Sequence, residues 1–119
     1  MTTTKQELYG VLLGLRDTYR DKVAEMESAQ VLDMTGTGYT NHQAEDATAV
    51  YDQTVGVSTL RAAQTRLRQI DEALARYGDG TYGICEDCGQ EIDIARLEAI
   101  PYTSLCLRCA ETRDYQARI

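Results

Sequence analysis

Four cysteines in the last third of the chain form two Cys-x-x-Cys pairs. Cys85 and Cys88 make the first pair, Cys106 and Cys109 make the second, and seventeen residues separate them. This spacing is typical of zinc sites, because each short turn directs two sulfurs toward one point and Zn²⁺ prefers four such ligands in a tetrahedron. We therefore expect one Zn²⁺ per chain, held by all four cysteines.

Other uses of paired thiols fit the sequence less well. A thioredoxin-like redox site needs a βαβ context and a single Cys-x-x-Cys pair. Two disulfides need an oxidising compartment, but the N-terminal sequence MTTTKQELYG lacks the basic and apolar regions of a signal peptide. No apolar run is long enough to span a bilayer. The sequence thus predicts a soluble, cytoplasmic protein in which zinc is structural, since four cysteines leave no open position for catalysis.

The cysteines follow two segments with helical periodicity. Thr4 and Glu7 form a capping box at the start of the first, which we predict over residues 4–29. Gly36 and Gly38 then disfavour helix. One apolar stripe runs along this segment: Leu8, Leu12, Leu15, Tyr19, Val23 and Met26.

The second helical segment is predicted over residues 41–77. Thr40 and Gln43 offer a capping box at its start, and the glycines of YGDGTYG end it. Its later half carries a heptad-type seam: Leu60, Ala63, Leu67, Ile70, Leu74 and Tyr77.

These elements predict a mainly α fold with two parts. Residues 1–78 should form a long antiparallel helical hairpin of the coiled-coil type, with Leu12, Leu15, Tyr19, Leu60 and Leu67 in or near the seam. Residues 79–119 should form a small four-cysteine zinc finger with a short C-terminal helix. If the two helices are aligned from the connection, the N-terminus of the shorter first helix lies near the level of residues 63–65. The last turns of the second helix would then be free to pack on the finger. The exposed heptad seam could pair between chains, but the short connection makes pairing within one chain the simpler outcome, so we expect a monomer.

The connection between the two helices is strongly acidic. Residues 23–60 contain no Lys or Arg and carry −6 of the formal net charge of −7. The acidic residues are Glu25, Glu27, Asp33, Glu45, Asp46 and Asp52. Such a surface disfavours direct nucleic-acid binding and favours a cationic protein surface or a bound divalent metal. The alternative is that these charges only keep an exposed end in solution.

The finger sequence resembles the zinc finger of the DksA/TraR family of bacterial RNA polymerase-binding regulators. The resemblance rests on the residues Tyr82-Gly83-x-Cys85-x-x-Cys88-Gly89-x-x-Ile92-x-x-x-Arg96-Leu97-x-Ala99-x-Pro101, followed by Cys106-x-x-Cys109. It implies that the hairpin enters the secondary channel of RNA polymerase, where acidic tip residues act near the catalytic magnesium and the bridge helix, often together with ppGpp. The zinc finger would then be a rigid base for the hairpin.

The expected tip departs from the family pattern Asp-x-x-Asp-x-Ala. Placing the alanine on Ala47 puts Glu45 at the second acidic position and His42 at the first, with Asp46 beside them. The string NHQAEDAT is similar to the tip of shorter, stress-associated members. The resemblance therefore implies Glu45, Asp46, Ala47 and His42 as the residues that reach the polymerase active centre.

Two classes of function remain open. The chain is either a transcription regulator that acts on polymerase without contacting DNA, or a zinc-finger adaptor that binds another protein or DNA. Only Arg96 and Arg108 are basic between the first and last cysteine, against five carboxylates, so DNA binding by the finger is disfavoured. His42, the single histidine, has no nucleophile or carboxylate clearly arranged around it, and we predict no enzymatic activity.

Overall fold

The computed structural model describes residues 3–34 and 46–118, with side chains described at 3–29 and 56–118. These residues form four helices: α1 (Lys5–Met34), α2 (Asp46–Asp79), α3 (Ile94–Ala99) and α4 (Leu107–Arg118). The two long helices, α1 and α2, pack as a hairpin, and the shorter pair belongs to the cysteine-containing region. An isolated antiparallel bridge joins Ile84 and Glu91 in that region. The predicted mainly helical fold is confirmed.

Helix α1 begins as its capping sequence predicts. The backbone N–H of Glu7 donates to Thr4 Oγ1 at 3.1 Å, and the N–H of Leu8 donates to the Thr4 carbonyl at 3.1 Å. The helix continues to Met34, beyond the predicted end at residue 29. The reason is that no glycine or proline occurs between these two positions, so nothing in the sequence ends the helix there.

The apolar stripes predicted for the two helices lie on their packed faces. Leu12 and Ile70 are fully buried, and Leu8, Val23 and Ala63 are nearly so. The remaining stripe residues, which are Leu15, Tyr19, Met26, Leu60, Leu67, Leu74 and Tyr77, are half-buried. The five predicted seam residues are therefore all at least half-buried. Ala73 is also fully buried, a position that the predicted stripe did not include.

The register between the helices differs from the prediction. The ring of Tyr9 stacks on the ring of Tyr77, with centroids 4.3 Å apart and an interplanar angle of 13°. The start of α1 therefore lies beside the last turns of α2. The prediction had placed it near the level of residues 63–65. The prediction measured the register from the connection, whereas the observed register brings together side chains far apart in the sequence, as this stack does.

The chain divides into two compact units. One unit contains Met1–Arg16 together with Arg68–Ile119, so the cysteine-containing region shares it with the first turns of α1 and the last turns of α2. The other unit is Asp17–Leu67, in which Gln64 Nε2 donates to Glu27 Oε1 at 3.2 Å between the two helices. Among the described residues, no helix combines the length and apolar character required to cross a membrane.

Contacts within the first unit join the helices to the cysteine-containing region. Gly83 has φ +85°, and a Cβ at this position would lie 2.9 Å from Lys5 Cε, so only glycine fits without displacing the lysine. The buried Tyr82 hydroxyl donates to the Pro101 carbonyl at 2.8 Å, and its ring is tilted against Tyr77 at 6.2 Å. Burial raises the pKa of Tyr82, although the Arg76 guanidinium acts in the opposite direction. These contacts fix the region that carries the cysteines onto the ends of the long helices.

Candidate metal centre

The four cysteines predicted as ligands lie together. Their sulfur atoms are all within 4.8 Å of one another. The sulfurs of Cys88 and Cys106, one from each pair, are 3.8 Å apart. Four sulfurs at about 2.3 Å from a central Zn²⁺ would be separated by about 3.8 Å, so this spacing fits a tetrahedral zinc site.

A tight turn positions the first cysteine pair. The N–H of Cys85 donates to the Gln90 carbonyl at 2.8 Å, and the N–H of Gly89 donates to the Cys85 carbonyl at 3.0 Å. Gly89 has φ +75°, a left-handed conformation that glycine adopts without steric cost. The Ile84–Glu91 bridge closes the turn at its ends. Cys85 and Cys88 are thereby held on one side of the turn.

The second cysteine pair lies at the start of α4. Cys106 immediately precedes the helix, and its carbonyl accepts the N–H of Ala110 at 3.0 Å. Cys109 follows three residues later, in the first turn, and residues at this spacing share a helix face. The loop before α4 is braced by Arg96, whose Nε donates to the Leu105 carbonyl at 2.9 Å. Thr103 Oγ1 donates to the same carbonyl at 3.1 Å.

Two contacts connect the two cysteine pairs. The N–H of Glu86 donates to the Ser104 carbonyl at 2.9 Å. Arg113, on α4, forms a two-bond ion pair with Asp87, which lies between the cysteines of the first pair; Nε to Oδ2 is 2.9 Å. No local sequence pattern predicts this ion pair, because its two residues are 26 positions apart.

The environment of each sulfur shifts the pKa of its thiol differently. Burial raises the pKa of Cys85, but nearby backbone N–H groups, that of Cys106 foremost, stabilise its thiolate and lower the pKa to about 6. Hydrogen bonding to the Cys106 sulfur, together with burial, raises the pKa of Cys109 to about 12. The backbone N–H of Gln90 acts to lower the pKa of Cys88, but burial and the neighbouring sulfurs outweigh it, so this pKa is raised. Metal binding must therefore displace protons from Cys88 and Cys109 near neutral pH.

The residues predicted for the hairpin tip lie largely outside the described part of the chain. His42 and Glu45 belong to residues 35–45, which are not described. Asp46 and Ala47 open α2, and their side chains are outside the described set. Their role at a polymerase active centre stays a prediction.

Comparisons with known proteins identify the family. The model of the prokaryotic dksA/traR C4-type zinc finger matches residues 80–115, which contain all four cysteines. General stress protein 16O of Bacillus subtilis is 35% identical over 111 residues, covering 92% of this chain and 68% of that protein. The molecule is a helical-hairpin protein with a four-cysteine zinc centre, and it belongs to the DksA/TraR C4-type zinc finger family. The match to a stress protein agrees with the predicted similarity to stress-associated members.

Other relatives match over part of their length. The RNA polymerase-binding transcription factor DksA of Caulobacter vibrioides is 33% identical over 76 residues, covering 64% of this chain and 54% of that protein. The solved structure of DksA2 from Pseudomonas aeruginosa has a TM-score of 0.79 at 23% identity, covering 97% of this chain and 86% of that one. The solution structure of a DnaK suppressor protein from Agrobacterium tumefaciens has a TM-score of 0.61 at 27% identity, covering 94% and 96%. These structures support the hairpin fold along nearly the whole chain.

The family match and the geometry agree on the metal. Four clustered cysteines within a C4-type zinc finger constitute a Zn²⁺ site. A site with four thiolates is closed to water and therefore structural. The members of this family are non-enzymatic, as the sequence predicted for this chain.

Proposed function

We propose that the chain is a transcription regulator that binds RNA polymerase and inserts its helical hairpin into the secondary channel. The observation that carries the proposal is membership of the DksA/TraR family, because relatives that match 64% and 42% of this chain are named RNA polymerase-binding transcription factors. Helix α1 has 30 residues and α2 has 34, so each extends for roughly 45–50 Å.

In this proposal the zinc finger is the base that holds the hairpin. Cys85, Cys88, Cys106 and Cys109 each supply one thiolate to Zn²⁺. The metal stabilises a small region with a limited apolar core, and that region shares a compact unit with the ends of both long helices. The finger and the neighbouring helix ends provide docking to polymerase.

The tip supplies the regulatory charge in this proposal. Glu45 and Asp46 are its carboxylates, beside Ala47 and with His42 at the position that the family pattern gives to an acid. They would act near the catalytic magnesium of the polymerase, and the protein would work as a monomer in the cytoplasm. Because ppGpp often acts with the family, transcription assays are run both with and without it.

A zinc-finger adaptor that binds a different protein is the second candidate. It is favoured by two exposed apolar side chains on α4: Leu107 is 57% exposed and Tyr115 is 68% exposed. A polymerase-independent partner on this helix would leave the hairpin tip without a role.

Co-purification with core RNA polymerase, followed by crosslink mapping, separates the two candidates. A photoreactive residue at position 45 should crosslink to polymerase subunits lining the secondary channel close to the active centre. The same group at position 115, on α4, should crosslink to the outer surface of the enzyme or to nothing. Failure to retain polymerase, or crosslinks from position 115 to another protein with none from position 45, would contradict the proposal and favour the adaptor.

A further inference from the structure

The ion pair between Asp87 and Arg113 joins the two halves of the metal centre. Asp87 lies between the two cysteines of the first pair, and Arg113 lies one helical turn beyond Cys109. The guanidinium donates through Nε and Nη2 to the two carboxylate oxygens, which is the bidentate geometry that makes arginine–carboxylate pairs specific. Each ligand pair is thus attached to the other by side chains as well as by the metal.

Release of a closed four-coordinate metal requires the two cysteine pairs to separate. Each pair is short and locally held, the first by its turn and the second by α4, so it can move as a unit. A contact that bridges the pairs opposes this separation without touching the metal, in the way that outer groups commonly fix metal ligands. Both side chains are partly exposed, at 52% for Arg113 and 36% for Asp87, so the effect should be moderate and sensitive to salt.

We infer that Asp87 and Arg113 are positioning residues for the metal centre, whose ion pair holds α4 against the first cysteine pair and slows release of Zn²⁺. The inference rests on the four-cysteine zinc site proposed above. It assigns these two residues a role in metal retention that is separate from ligation and from polymerase binding.

The test measures Zn²⁺ release from the full chain to an excess of a chromogenic chelator. The variants are Arg113→Ala, Asp87→Asn and the two together. Each single substitution should speed release roughly two- to five-fold, the scale of a well-formed exposed ion pair. The double variant should be no faster than the faster single variant, because both substitutions remove the same contact. The difference from the unmodified chain should shrink at about 1 M salt.

Arg108→Ala is the matched control. Arg108 is also on α4, between the cysteines of the second pair, and its removal deletes the same charge without touching the ion pair. It should release zinc at the rate of the unmodified chain. Every variant should contain one zinc per chain at the start and unfold at a similar temperature, which excludes a general loss of structure.

The outcomes distinguish the inference from the zinc site itself. Equal release rates for Arg113→Ala and the unmodified zinc-containing chain would overturn the inference and leave the site standing. Equal acceleration by Arg108→Ala would also overturn it, because nearby positive charge would then be sufficient. An unmodified chain purified without zinc would overturn both the site and the inference.

Discussion

At the scale of single residues, the cysteines show how a sequence pattern and a structure supply different information. The spacing of Cys85, Cys88, Cys106 and Cys109 predicted the metal and its ligands, because two Cys-x-x-Cys turns leave few other arrangements. Their protonation could not be predicted in this way, since it depends on burial and on backbone N–H groups contributed by the folded turns. The Asp87–Arg113 pair was likewise invisible until the fold placed its two residues together.

Replacing Cys88 tests its role as a zinc ligand, because its side chain is exposed and contributes little to stability by packing. Its side chain is exposed, so Cys88→Ser should change stability by less than about 0.5 kcal/mol if the sulfur binds nothing. If it is a ligand, the variant should lose zinc and the finger should unfold, because metal-binding energy is folding energy in small zinc domains. Elemental analysis and thermal unfolding followed by circular dichroism provide the measurement. Treatment of the unmodified chain with a strong chelator is the positive control, and an unchanged zinc content in the variant would contradict the assignment.

The affinity for zinc should fall as the pH is lowered. The pKa values of Cys88 and Cys109 are raised, so zinc binding expels the protons of these thiols, and added protons therefore compete with the metal. The pKa of Cys85 is lowered to about 6, so protons compete less effectively at this sulfur. Chelator competition between about pH 5 and about pH 8 measures this dependence. An affinity that does not change over this range would contradict the protonation states described.

At the scale of elements, periodicity predicted the packed faces of both helices but not their relative register. Leu12 and Ile70 were expected on the seam and are fully buried. Ala73 was missed because alanine is common on both buried and exposed helix faces, so it contributes little to an apolar pattern. The Tyr9–Tyr77 stack was missed because register depends on side-chain contacts between segments far apart in the sequence. Helix α1 extends past residue 29 because its apolar stripe ends at Met26, whereas the first residue that disfavours helix is Gly36.

Adjacent residues on α1 offer a test of the hairpin seam. Leu12 is 0% exposed, so Leu12→Ala should lower the free energy of unfolding by about 2–5 kcal/mol through lost burial and a cavity. Val11 is 49% exposed, and Val11→Ala should change it by less than about 0.5 kcal/mol. Urea unfolding followed by circular dichroism measures both. Similar losses for the two variants would show that this face of α1 is not the packed one.

At the scale of the whole molecule, the family assignment points to a binding partner, which neither the helices nor the cysteines identify. A zinc finger on an acidic helical hairpin is compatible with several partners, and the named relatives direct attention to RNA polymerase. The chain spans 68% of general stress protein 16O and about half of the Caulobacter DksA that it matches. Its own partner and activity are therefore matters for direct measurement on this chain.

The central claim is that carboxylates at the hairpin tip act on the polymerase active centre, and in vitro transcription with a charge-matched pair of variants tests it. Glu45→Ala with Asp46→Ala removes two adjacent carboxylates from the predicted tip. Asp21→Ala with Glu25→Ala removes two exposed carboxylates from α1, outside both the predicted tip and the unit that contains the finger. Polymerase binding is measured for both variants, and transcription is assayed with and without ppGpp.

The proposal predicts that the tip variant loses the transcriptional effect while still binding polymerase, and that the Asp21/Glu25 variant, which removes the same charge, retains the effect. Restoring one carboxylate a single position along the helix should not rescue the tip variant, because that step rotates the side chain by about 100°. Full regulatory activity in the Glu45/Asp46 variant would contradict the claim and show that the acidic tip only keeps an exposed end in solution.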